Sequence, residues 1–207
     1  MTPQKNVTIK VILLIFTILL LDQIVKIYIK THFYLGQSVP IFSWFQITFI
    51  ENPGMAFGLK LGGGEIAKII LTLFRIVAVV ILSIFIRNLI KNGARSGFIF
   101  TIALVLVGAA GNIIDSMFYG VLFSESTSFQ IAQCLPAGGG YAPFLQGQVV
   151  DMLYFPIFHF PNWIPFLGGS LFFSPIFNIA DSSITIAIFI IIIFFLKDFN
   201  KSLEKKK

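Results

Sequence analysis

Four stretches of this chain, residues 9–29, 67–86, 97–117 and 176–196, are almost unbroken runs of apolar side chains. A helix needs about 20 mostly apolar residues to cross a hydrocarbon core about 30 Å thick. Each run meets that requirement, so each is predicted to be a transmembrane helix. The pattern changes within Ser38–Gly58, where Phe45, Ile47 and Phe49 alternate with Trp44, Gln46 and Thr48. A period of two predicts a strand, and Asn52-Pro53-Gly54 reads as the turn that ends it. Together they predict a small sheet-like platform whose aromatic side chains suit the headgroup zone.

The segment 118–175 divides in two. Val121–Gln148 is rich in Ser, Gly and Gln, with a Gly138–Gly140 run, and is expected to contain a mobile segment. The stretch from Val149 to Phe177 is interrupted by Pro156, Pro161, Pro165 and Pro175, yet is too apolar for free solvent. It is expected to lie along the membrane surface. The fold class is therefore membrane all-α: a four-transmembrane-helix bundle with a small extracytoplasmic β-sheet platform and a long second outer loop. Residues 1–207 read as a single integral membrane domain.

Composition agrees with this pattern, since 57% of residues are hydrophobic and 12% charged, about half the charged share of a soluble domain. The net charge of +6 would suit a nucleic-acid partner, but the positions of the charges exclude one. No Lys or Arg lies between Arg95 and Lys197, whereas Arg87, Lys91 and Arg95 crowd the second loop and Lys197, Lys201 and Lys205–Lys207 the tail. The positive-inside rule then puts both termini and the second loop in the cytoplasm, with loops 30–66 and 118–175 outside. Lys5 and Lys10 precede an apolar run as in a signal peptide, but no small-x-small cleavage site follows and Asp22 and Lys26 continue the helix, so the span is read as retained. Cys134 is the single cysteine and is expected to be a packing residue.

With that topology Asp22, Asp115, Asp151 and Asp181 all fall toward the outer leaflet. A charge inside a bilayer is costly, so each is a functional hypothesis facing the bundle interior. Asp22 and Lys26 stand four apart with the acid first, the favourable order for a structural helical ion pair. Arg75 also needs a partner, with Asp22 or Asp115 as candidates. The run Gly108-Ala109-Ala110-Gly111 lets a neighbouring helix come close. Asn112 and Asp115, three apart on one face, would then be either a polar clamp or part of the chemistry. "GNIIDS" at 111–116 and "FNIADS" at 177–182 share an Asn-Ile-x-Asp-Ser pattern. Asp151 and Asp181 have no nearby basic residue in sequence. If they face each other they can share a proton, the ionised one taking a proton from water while the protonated one hydrogen-bonds a substrate carbonyl. Ser182 and Ser183 lack an adjacent base, and His32 and His159, the two histidines, give no recognisable metal spacing.

These residues resemble a known family, the bacterial lipoprotein signal peptidases or signal peptidase II. The matching pieces are "DQIVK" (Asp22, Lys26), "ENPGMAFG" (Asn52, Gly54, Ala56, Phe57, Gly58), "GAAGNIIDS" (Gly108, Asn112, Asp115), "VVDM" (Asp151) and "FNIADS" (Phe177, Asn178, Ala180, Asp181), in family order from residue 22 to 182. The resemblance implies a monomeric aspartic endopeptidase of the bacterial inner membrane, with its active site near the outer face. It would remove the signal peptide from prolipoproteins by cutting before the diacylglyceryl-modified cysteine. Asp151 and Asp181 would be catalytic. Asn52, Gly54, Asn112, Asp115, Asn178 and Ala180 would bind substrate or order the site. Membrane lipid and the lipidated prolipoprotein are the implied partners, and no metal or organic cofactor is implied. Two departures stand out: Ser116 occupies a position where most members carry arginine, and the segment 121–148 is an insertion that reads as a lid or a partner surface. The alternatives are a small proton- or cation-coupled transporter, against which the lack of repeated halves argues, and an inactive binding protein of the same fold.

Overall fold

The computed structural model describes residues 3–53 and 65–204. Gly54, Ala56, Phe57 and Gly58 of the second motif lie outside these residues. Among the described residues, four helices are long and apolar enough to cross a membrane: α1 (Pro3–His32), α2 (Glu65–Lys91), α3 (Ser96–Leu122) and α4 (Ile179–Leu203). A four-stranded antiparallel sheet runs in the order β1 (Ser38–Phe42), β2 (Phe45–Asn52), β3 (Val149–Tyr154) and β4 (Ile176–Phe177). The chain packs as two compact units, one of residues 1–23, 70–113 and 179–207 and one of residues 24–69 and 114–178.

The first unit is helical. Its core joins Val11, Ile86, Leu89, Phe98, Ile99, Ile102, Ala103 and Leu106. Of the most apolar window of α3, 61% is buried within the protein, against 11–17% for the other three helices. α3 is thus the central helix, and side chains such as Phe16, Phe74, Ile81 and Phe194 present bare apolar surface, as lipid-facing residues do. α2 ends in a Schellman motif: Gly93 adopts φ 67°, Ala94 N–H donates to Leu89 O at 3.0 Å and Gly93 N–H to Ile90 O at 3.2 Å. The helix ends are tied nearby. Arg95 pairs with Asp198 at 3.1 Å and lies over the Phe195 ring, and Gln4 Nε2 donates to Lys91 O at 3.4 Å.

The second unit is built on the sheet. The period-two pattern is realised as β2 from Phe45 onward, with Trp44 in the turn before it; β2 pairs β1 (Ser38 opposite Thr48) and β3 (Asn52 opposite Val149, Ile50 opposite Asp151). An irregularity between Ile47 and Ile50 re-aims the end of β2. Phe49, Val150 and Met152 bury one face of the sheet against Ile29, Tyr119, Phe123 and Ala132.

Four expectations change here. The stretch expected to lie wholly along a surface supplies β3 and β4, because Val149–Tyr154 finds a pairing partner in β2. Between them Phe158 and Phe172 stack at 4.6 Å, with Trp163 and Phe166 exposed. Ile176–Phe177, expected as the first turn of the last helix, are strand, and α4 begins at Ile179. The segment 121–148, expected to hold a mobile part, is fastened by backbone bonds to the end of α3: Leu135 N–H to Leu122 O, Tyr141 N–H to Phe123 O, Ala142 N–H to Gly120 O and Gly147 N–H to Ser116 O. Cys134 is exposed instead of packed, and its backbone bridges Phe123.

Candidate active site

Asp151 sits in the middle of β3 and is buried, with 2% of its surface exposed. Its carboxylate takes two amide donors. Asn178 Nδ2 donates to Oδ1 at 2.6 Å, and Asn52 Nδ2 donates to Oδ2 at 3.2 Å. Asn178 is fully buried and also donates to Val150 O at 3.3 Å, so one side chain fixes both the strand and the acid it carries. Hydrogen bonds to an ionised carboxylate favour that form. The local fold makes this set possible: Asn52 ends β2 in register with β3, and Asn178 follows β4 on the other side of β3.

Behind β3 lies a second carboxylate. Lys26 Nζ and Asp115 Oδ2 are 2.8 Å apart with both side chains wholly buried, and the same oxygen accepts Val150 N–H at 3.3 Å. Asp115 opens a π-helical turn, Asp115–Tyr119, within α3; such turns are frequent at functional sites because they displace a side chain from the regular helical face. Ser116 is buried in the same turn, and its carbonyl accepts the Gly147 N–H at 2.8 Å.

Asp181 stands in the first turn of α4 and is partly exposed. Asn112 Nδ2 donates to its Oδ1 at 2.8 Å. The start of that helix is held by Asp22, whose Oδ1 accepts the Ala180 N–H at 3.0 Å while Gln23 Nε2 donates to Oδ2 at 3.2 Å. A carboxylate placed against first-turn amides satisfies orphan donors and complements the helix dipole. The small-residue run on α3 permits this approach. A Cβ at Gly111 would lie 2.8 Å from Asp22 Oδ2 and 2.9 Å from Ala180 Cβ, and one at Gly108 would strike Ala180 O and Ile184. Ser183 Oγ donates to Ile179 O at 2.9 Å, which gives this hydroxyl a backbone role within its helix.

The candidates named from sequence therefore gather into four sets: Asn52 and Asn178 on Asp151, Lys26 on Asp115, Asn112 on Asp181, and Asp22 on Ala180. Asn112 and Asp115 are both buried, but Asn112 serves an acid and Asp115 serves a lysine and a strand. Two residues were missed, Lys30 and Glu51, which form a buried ion pair. Their signals were present: Lys30 lies one turn beyond Lys26 on α1, and Glu51 is next to Asn52. Among the described residues no group of three or more His, Cys, Asp or Glu side chains is arranged to hold a metal ion.

The family model described as Signal peptidase (SPase) II matches residues 14–197, a range that contains every group above. The chain belongs to the signal peptidase II family. A lipoprotein signal peptidase of Porphyromonas gingivalis is 45% identical over 210 residues, covering 99% of this chain and 89% of that protein. One of Amoebophilus asiaticus is 34% identical over 180 residues, covering 84% and 72%. A bacterial membrane enzyme solved by the in meso method at 1.9 Å resolution superposes with a TM-score of 0.58 at 28% identity, covering 91% of this chain and 94% of that one. Signal peptidase II is a peptidase family, so membership speaks against the transporter alternative.

Proposed function

We propose that this protein is an intramembrane aspartic endopeptidase that removes the signal peptide from prolipoproteins, cutting before the diacylglyceryl-modified cysteine, with Asp151 and Asp181 as its catalytic pair. The observation that carries this reading is that each of the two acids is held by asparagine amides, Asp151 by Asn52 and Asn178 and Asp181 by Asn112, in a chain of the signal peptidase II family. In the proposed reaction an ionised carboxylate takes a proton from water, whose oxygen attacks the scissile carbonyl carbon. The protonated partner gives its proton to the carbonyl oxygen. Collapse of the resulting diol breaks the C–N bond: one diol hydroxyl returns its proton to the partner carboxylate, and the proton taken from water passes to the leaving cysteine nitrogen. Asp22 and Asp115 act by position, one at the first turn of α4 and the other on β3 beside Asp151. Whatever an arginine contributes after the third-motif aspartate in other members is supplied without one here, since the position is Ser116.

The same reading sets the protein in the bacterial inner membrane as a single integral domain over 1–207, a monomer with both termini cytoplasmic and loops 30–66 and 118–175 outside. The charge asymmetry of the loops supports it. So do the contacts that join the N-terminal segment, the α2–α3 loop and the end of α4, Gln4 to Lys91 and Arg95 to Asp198. The sheet then lies on the extracytoplasmic side, and the aromatic stretch Phe155–Phe173, which carries no acidic or basic residue other than His159, belongs at the lipid surface. The test is complementation in cells lacking lipoprotein signal peptidase. Wild type should convert prolipoprotein to the mature size, while Asp151→Asn and Asp181→Asn accumulate normally and leave the precursor uncut. Processing by either variant would reject the pair.

A further inference from the structure

Lys26 and Lys30 stand one turn apart on α1, and each meets a carboxylate bound to one of the two central strands. Lys26 meets Asp115, which accepts Val150 N–H of β3. Lys30 meets Glu51, a residue of β2 itself. The second pair is enclosed by the insertion. Lys30 Nζ donates to Ser126 Oγ at 3.0 Å, and Ser126 Oγ donates onward to Glu51 Oε1 at 2.8 Å. The rings of Tyr141 and Phe123 lie 4.8 and 5.5 Å from the ammonium nitrogen, within cation–π range. Tyr141 is itself fixed, its hydroxyl accepting the Gln148 N–H at 2.7 Å. Lys30, Ser126 and Phe123 are all buried. A buried ion pair is tolerated only with good geometry and satisfied hydrogen bonds, and here Ser126, Phe123 and Tyr141, all from 121–148, supply the third member and the cover.

We propose that Lys30, Glu51 and Ser126 are positioning residues for Asp151, and that the insertion 121–148 is an internal buttress that holds β2 in place. The assignment rests on Asp151 being one of the catalytic acids. Glu51 and Asn52 are consecutive in β2, so a shift of Glu51 carries Asn52 with it. The Asn52–Asp151 hydrogen bond is 3.2 Å, at the long end of the usual range of about 2.7–3.2 Å. A displacement of a few tenths of an ångström would therefore break it, whereas the 2.6 Å bond from Asn178 on the far side of β3 would survive. The buttress acts on Asn52, the longer-bonded of the amide donors Asn52 and Asn178 to Asp151.

The experiment uses purified full-length protein and a diacylglyceryl-modified prolipoprotein peptide, comparing wild type, Ser126→Ala, Glu51→Gln, Asn52→Ala and the doubles with Asn52→Ala. Ser126→Ala and Glu51→Gln should each lower kcat about three- to fivefold with KM changed less than about twofold, a fraction of what losing a whole hydrogen bond to a charged group removes. Ser126→Cys, which keeps a polar atom at the bridge, should recover part of that loss. In the Asn52→Ala background the further effect of either substitution should shrink to less than about twofold, because positions that act through one bond are not additive. Equal losses in both backgrounds would overturn the proposal, since the effect would not pass through Asn52. Unchanged kcat in both single variants would overturn it as well, and a rise in KM alone would make the insertion a substrate surface instead. Thermal unfolding of each variant separates a shift of β2 from loss of the fold, and Glu51→Gln keeps side-chain size should Ser126→Ala unfold. Asp151→Asn is the separate arm: turnover by that variant refutes the catalytic assignment, while its inactivity beside a fully active Ser126→Ala refutes only the buttress.

Discussion

The two asparagines on Asp151 give a quantitative contrast. Asn178→Ala removes a 2.6 Å hydrogen bond between fully buried partners, together with a second donor to Val150 O. Hydrogen bonds to charged groups contribute about 1.5–3 kcal/mol, and a factor of ten in rate corresponds to about 1.4 kcal/mol, so kcat should fall about 10- to 150-fold. Asn52→Ala removes a 3.2 Å bond whose donor is only half-buried. That bond belongs nearer the ordinary contribution of about 0.5–1.5 kcal/mol, which corresponds to a fall of about 2- to 10-fold. Steady-state kcat at saturating lipidated peptide, measured for both variants alongside their unfolding temperatures, tests the ordering. Asn178→Ala should also lose about 1–3 kcal/mol of stability, because Val150 O and Asp151 Oδ1 are left short of a buried donor. A larger kcat loss for Asn52→Ala than for Asn178→Ala, or losses below twofold in both, would refute the assignment of these amides to a working carboxylate.

Other outcomes follow from the same packing. Lys26→Met removes a buried ion-pair partner of the wholly buried Asp115 and should destabilise the protein by about 3–5 kcal/mol, seen as a lower unfolding temperature and reduced accumulation in the membrane; a change under about 1 kcal/mol would contradict the buried pair. Gly111→Ala forces a Cβ against Asp22 Oδ2 and Ala180 Cβ, so overpacking of about 1–3 kcal/mol is expected together with reduced kcat, since the displaced turn carries Asp181; unaltered melting would remove the close-approach argument. Burial pushes the Tyr141 hydroxyl above its ordinary range, chiefly by desolvation. Its phenol stays neutral in the folded state while an unfolded tyrosine ionises near about pH 10. The linked contribution is fully present below that value and is lost as pH rises above it. Tyr141→Phe should therefore flatten the fall of unfolding temperature between about pH 9.5 and about pH 11.5, and an identical alkaline profile would exclude Tyr141 as its source.

Much of this could be read from local pattern. Helices α1–α4 follow from runs of apolar side chains, because in hydrocarbon every backbone donor must be satisfied within its own segment and no distant partner is consulted. β2 follows from strict alternation over 44–49, and Asp22, Asp115, Asp151, Asp181, Asn52, Asn112 and Asn178 were named from their motifs, whereas Glu51 was not. β3 was not legible in the same way: Val149–Tyr154 is uniformly apolar apart from Asp151, and its strand character depends on pairing with residues nearly a hundred positions earlier. Lys26 illustrates the limit for charges. Helical spacing offered Asp22 as its partner, and it is α3 that brings Asp115 to 2.8 Å.

By itself, then, the amino-acid order determined four apolar helices, one alternating strand and a set of family motifs, because hydropathy, period and motif identity are properties of neighbouring residues. Tertiary structure alone decided which amide serves which acid, that Asp22 holds the first turn of α4, and that the Gly- and Ser-rich insertion turns inward onto Lys30 and Glu51. Those outcomes depend on groups far apart in the chain meeting at hydrogen-bond distance. A bond of 2.6 or 3.2 Å is set by the packing of whole helices and strands, which no short window of residues specifies.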